Sequence, residues 1–147
     1  GGPGAPARDA VCIVPSRPDG SEMRERACRD RRNGWCVALP GGLVDAGEAL
    51  EEAVAREVSE ETGYRLRDDI APAVRPLPQP GFSSTGLTEE NVQVVFAQVE
   101  AAGEARPASA ELIEPFAVAR ADLRAFLDAN QPPIGTRCQL NLELLAI

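Results

Sequence analysis

The chain has 147 residues, which suits one domain and leaves little room for two. Lys and Arg total 15 against 23 Asp and Glu, and the net charge of −8 argues against a protein that grips a nucleic-acid backbone by bulk charge. The absence of histidine excludes a Ser-His-Asp triad, a Cys-His pair, a His-ligated metal and a histidine general base.

Residues 1–7 (GGPGAPA) predict a disordered arm ahead of a single domain over 8–147. Ala10–Val14 is a short apolar run and predicts a strand. From Pro15 to Asn33 the apolar points are few and the stretch Arg24–Arg32 is charged, so a solvated loop or weak edge strand is expected. Trp35–Leu39 predicts a buried strand stopped by Pro40-Gly41-Gly42. The period then changes. Leu50, Ala53, Val54 and Val58 form an apolar stripe within a helix over Ala49–Thr62, and Gly63 sits where a helix-ending glycine belongs.

Past a loop at Asp68–Pro72, Val74–Leu77 predicts an edge strand, because its prolines cannot donate to a ladder. Pro78–Glu90 predicts a long loop, Asn91–Val99 the strongest strand, and Ala101–Ala110 a turn region. Leu112–Val118 predicts a strand interrupted by Pro115, and Ala121–Ala129 a helix with Leu123, Phe126 and Leu127 on its apolar face. A break at Gln131–Gly135 precedes a closing helix over Thr136–Ile147. This order predicts an α+β or α/β sandwich with a mixed sheet rather than a doubly wound one. No apolar run approaches the roughly 20 residues needed to cross a bilayer. With no export-like segment and no CxxC among Cys12, Cys28, Cys36 and Cys138, the expectation is a cytoplasmic protein with reduced, partly buried thiols.

One helix face conflicts with helix physics. Glu57, Glu60 and Glu61 share it at i, i+3 and i+4, in the last turns before Gly63, where the macrodipole disfavours carboxylates and Glu57 and Glu61 repel each other. A solvated acidic face partly balanced by Arg56 is one reading. The other is a divalent cation on this face. Oxygen donors without imidazole or paired thiolate suit Mg²⁺ or Mn²⁺ rather than zinc.

The wider spacing decides between them. Gly42, Glu48 and then Arg56-Glu57-Val58-Ser59-Glu60-Glu61-Thr62-Gly63-Tyr64 fill every specified position of G-x5-E-x7-R-E-U-x-E-E-x-G-U, where U is apolar or aromatic. Chance would produce this at one starting point on the order of once in a billion. The chain therefore resembles the Nudix hydrolases, which implies their α/β/α sandwich with the loop and helix that carry this motif.

The resemblance implies that Glu57 and Glu61 bind metal, with Glu60 an additional or water-bridged ligand and the Gly41 carbonyl a backbone ligand. It implies that Glu48 and Arg56 belong to the catalytic apparatus as a brace of loop against helix, not as chemical participants. Leu39–Glu48 resembles the LPAGLVDxGE of the ADP-sugar diphosphatases, with Gly41 in place of Ala, and Ser84–Glu90 resembles their SPG-L-T-D-E loop. Gly42, Thr85, Gly86 and Leu87 are accordingly expected at the substrate. Ala110-Glu111-Leu112-Ile113-Glu114 resembles a segment whose first glutamate serves as general base, so Glu111 is one candidate base and Glu90 the next. Trp35 and Phe82 could stack on a nucleobase, although core packing is the better prior for each.

The implied activity is Mg²⁺- or Mn²⁺-dependent hydrolysis of a nucleoside diphosphate linked to a sugar, such as ADP-ribose. The products are a nucleoside monophosphate and a sugar phosphate. The alternatives are a nucleoside triphosphate or dinucleotide substrate, or a nucleotide-sensing domain without turnover. The expected partner is that small molecule, with no nucleic acid and no membrane. A homodimer is a further expectation.

Overall fold

In a computed structural model, which describes residues 9–28, 34–82, 90–106, 112–129 and 132–147, the first apolar run is strand β1 (Ala10–Ser16), at the centre of a mixed sheet. The expected arm at 1–7 lies outside the described residues. β1 runs parallel to β8 (Asn91–Ala101), in register from Ala10↔Val92 to Ser16↔Gln98. A parallel pair needs a long crossover, and helix α1 (Leu50–Thr62) lies within the connection. Three short strands pair antiparallel with successive stretches of β8: β5 (Tyr64–Leu66), β6 (Val74–Pro76) and β7 (Gly81–Phe82). β6 lies where the prolines predict an edge strand.

The charged stretch after β1 is not a solvated loop. Glu22–Cys28 is strand β2, paired along its whole length with β9 (Leu112–Val118) and over its second half with β3 (Trp35–Ala38). Glu22 and Arg24 go inside with polar partners, although Nε of Arg24 makes no hydrogen bond among the described residues. Glu22, 1% exposed, accepts from the Ser16 hydroxyl at 2.7 Å and lies 3.4 Å from Arg120. Arg24, fully buried, donates to the Met23 carbonyl at 2.6 Å and to Asn141, with Glu22 at 3.8 Å. Met23 and Ala27 are buried on the same strand.

β3 ends at Ala38, ahead of Pro40-Gly41-Gly42 as the sequence predicts. The chain bends at Leu39-Pro40 and resumes as β4 (Gly41–Leu43), leaving β2 and pairing with β1 from Cys12↔Gly41 to Ala10↔Leu43. Pro40 has no N–H to place at this corner, and its carbonyl accepts from Ile13 N–H at 2.8 Å. Pro115 does not interrupt β9. Among the described residues β9 pairs with β2 alone, and an edge strand tolerates a proline whose missing N–H faces away from the ladder.

Helix α1 covers one face of β1. Val54 and Val58 are fully buried against Val11, Ile13, Met23, Val95, Ala97 and Val99, each burial stabilising by about 1.5–3 kcal/mol. A 3₁₀ turn at Arg120–Asp122 leads into α2 (Leu123–Asp128), and α3 (Thr136–Leu145) follows. Both pack on β3 and β9 through Val37, Val118, Leu123, Cys138 and Leu142. Alternation along β1 puts Cys12 on the face away from Val11 and Ile13, where it meets Arg137 of α3. The architecture is α+β, a mixed sheet between helices. All four cysteines are free thiols, and no helix among the described residues is long and apolar enough to cross a membrane.

Candidate metal and active site

The last turns of α1 hold three carboxylates and no basic residue in the final turn. Gly63 ends the helix in the left-handed region at φ 74°, its N–H bonded to Ser59 O at 3.0 Å. A Cβ there would lie 2.5 Å from the Gly103 carbonyl oxygen, so both conformation and space require glycine.

Arg56 offsets the acidic charge. It grips Glu48 through two parallel bonds, Nε to Oε2 at 2.8 Å and Nη2 to Oε1 at 2.9 Å. Nη2 also donates to the Leu43 carbonyl at 3.0 Å, and Nη1 to Glu57 at 3.0 Å and Glu60 at 3.5 Å. Glu48 Oε1 in turn accepts from Asp45 N–H at 3.0 Å. The Arg56 bonds and the Asp45 amide hold the Glu48 carboxyl at about 2, well below the usual range. The brace between loop and helix is thus present, with Glu48 behind the cleft wall and Arg56 on it.

Glu57 is 7% exposed, and burial pushes its carboxyl above the ordinary range although Arg56 pulls it down. It occupies space left by Gly42, where a Cβ would lie 2.4 Å from Glu57 Oε1. Glu61 Oε2 accepts from Gly41 N–H at 2.9 Å. Gly41 has its own constraint, since a Cβ there would lie 2.2 Å from the Val11 carbonyl oxygen. That contact accounts for glycine where the resembling motif carries alanine.

These groups open on a cleft of about 680 Å³, the size of a small-molecule site. Gly41, Gly42, Glu57, Glu60, Glu61 and Glu90 all line it. Glu111, Thr85, Gly86 and Leu87 lie outside the described residues. Trp35 is half-buried in β3 and does not line the cleft. Sequence reasoning missed Cys12, Glu25, Ile113 and Arg137, which also line it. No local spacing connects them, since β1, β2, β9 and α3 meet here only through the fold. Among the described residues no three acidic or thiol side chains converge as a ready cation site. Glu57 is turned to Arg56 and Glu61 to the Gly41 amide. The available donors are carboxylate oxygens, which suit a hard cation, and a buried carboxylate at Glu57 is the group such a charge would relieve most.

A family model for the NUDIX domain matches residues 6–137, and the chain belongs to the Nudix family. Over 72 residues it is 41% identical to an ADP-ribose pyrophosphatase of Saccharomyces cerevisiae, covering 49% of this chain and 31% of that one. Over 106 residues it is 32% identical to an ADP-sugar pyrophosphatase of Mus musculus, covering 69% and 46%. The chain therefore spans less than half the length of these curated relatives. The crystal structure of an ADP compounds hydrolase shares the fold, with a TM-score of 0.71 at 22% identity over 97% of this chain and 72% of that one.

Proposed function

We propose that this domain hydrolyses the pyrophosphate of a nucleoside diphosphate linked to a sugar, of the ADP-ribose kind, releasing a nucleoside monophosphate and a sugar phosphate. The observation that carries the reading is the Arg56–Glu48 clamp, which presents Glu57, Glu60 and Glu61 to one cleft. The names of the yeast and mouse relatives support the substrate class. Glu57, Glu60, Glu61 and the Gly41 carbonyl are the groups to hold Mg²⁺ or Mn²⁺. When bound, the cation neutralises the substrate, activates water and stabilises the displaced phosphate oxygen. The chain's own part is to fix those carboxylates and to accept the water's proton, a role for Glu111 or for Glu90 on the cleft wall.

A substrate panel with Mg²⁺, scored by product identity, tests the reading. Nucleoside monophosphate plus sugar phosphate from ADP-ribose, at a higher kcat/KM than any nucleoside triphosphate or dinucleotide, is expected. Pyrophosphate release from a triphosphate at the higher kcat/KM would contradict it. Binding of ADP-ribose without Mg²⁺-dependent turnover would make the domain a sensor.

A further inference from the structure

The cleft is lined by six carboxylates, Glu25, Asp45, Glu57, Glu60, Glu61 and Glu90, and by two arginines, Arg56 and Arg137. Such a wall repels a diphosphate, so any cationic group free to meet it matters. Arg56 is committed, since Nε, Nη1 and Nη2 all bond to Glu48, Glu57, Glu60 or the Leu43 carbonyl. Releasing it would undo the clamp that places Glu57.

Arg137 differs. It lies in the first turn of α3, is exposed, and forms no ion pair among the described residues. It lines the cleft beside Cys12 of β1. The helix end on which Arg137 sits is electropositive and carries no acidic residue in its first turn. Cys12 lies on the face of β1 away from α1, so Arg137 reaches the cleft from the side away from Glu57, Glu60 and Glu61.

We infer that Arg137 is a substrate-binding residue, which donates its planar fork to the phosphate oxygens turned away from the α1 carboxylates. This deepens the hydrolase reading and rests on it. A guanidinium pairs with two oxygens of one phosphate, whereas a lysine presents a point charge.

The test is calorimetric titration of the whole chain with methylenediphosphonate in excess Mg²⁺, for wild type, Arg137→Ala and Arg137→Lys. Circular dichroism checks that these surface variants stay folded. The dissociation constant should weaken about tenfold or more in Arg137→Ala and by an intermediate factor in Arg137→Lys. For the best diphosphate substrate, KM should rise by a similar factor with kcat within about threefold. An Arg137→Ala constant within twofold of wild type, or a wild type that does not bind the probe, overturns the inference. Unchanged binding in Arg137→Ala with intact wild-type turnover defeats only the role of Arg137. Weakened binding in a protein that hydrolyses no nucleoside diphosphate supports the arginine's anion contact and defeats the hydrolase reading.

Discussion

Gly42 and Glu57 occupy one another's space: a Cβ on Gly42 would stand 2.4 Å from Oε1 of Glu57 and 2.8 Å from its carboxyl carbon. The obstacle is the end of a flexible side chain, so Gly42→Ala should leave the fold intact and push the carboxylate aside. A displacement of that size predicts a loss of about a hundredfold in kcat, measured beside an unchanged melting curve. The neighbouring glycine should behave in the opposite way. A Cβ on Gly41 meets backbone, the Val11 carbonyl oxygen at 2.2 Å, so Gly41→Ala must shift β4 off β1 and destabilise by about 1–3 kcal/mol, read by denaturant melts.

Glu57 supplies a pH-dependent signature. Its carboxyl lies above the ordinary value of 4.5 in the folded chain, chiefly through burial. Charging it therefore opposes folding, and metal-free stability falls as pH rises from the unfolded value through the raised folded value. Glu57→Gln removes that penalty. Without metal the variant should melt higher than wild type at pH 7, and the gap should close below pH 4.5. Adding Mg²⁺ should raise the wild-type Tm and leave the variant's in place.

Glu48 behaves with the opposite sign. Arg56 and the Asp45 amide hold its carboxyl at about 2, so its contribution to stability is present above the unfolded value and is lost as pH falls towards 2. Glu48→Gln should melt lower than wild type at pH 7, and the two should converge in acid. The variant also loses the fork that orients Arg56, and with it about 10–100-fold in activity.

Arg24 is a purely structural case. It is fully buried in β2, bonded to the Met23 carbonyl and Asn141, with Glu22 close by. Arg24→Ala leaves Glu22 buried with a weakened set of partners and should cost about 3–5 kcal/mol. Urea denaturation measures this directly, and a cost under 1 kcal/mol would show that Ser16 and Arg120 suffice for Glu22.

Legibility in the sequence followed the range of the interactions. Helix α1, its stripe of Val54 and Val58 and its ending at Gly63 were readable because their causes are local and periodic. The Glu48–Arg56 pair was readable because its spacing is a pattern in itself. β2 was not, because the partners that Glu22 and Arg24 find, Ser16, Arg120 and Asn141, lie far away in the chain or on other elements. The bend at Pro40 depends on β1 and β2 diverging, which no local stretch records. Glu25 and Arg137 enter the cleft only through the packing of β2 and α3 around β1, so nothing near either residue marks it.

The proposed function requires that the carboxylates at the end of α1 hold a divalent cation. Titration of the chain with Mn²⁺ in the presence of methylenediphosphonate, followed by calorimetry, tests this most directly. Wild type should take up the ion, and Glu57→Gln and Glu61→Gln should each bind it at least about tenfold more weakly. No uptake by wild type, or equal uptake by all three proteins, would contradict the account.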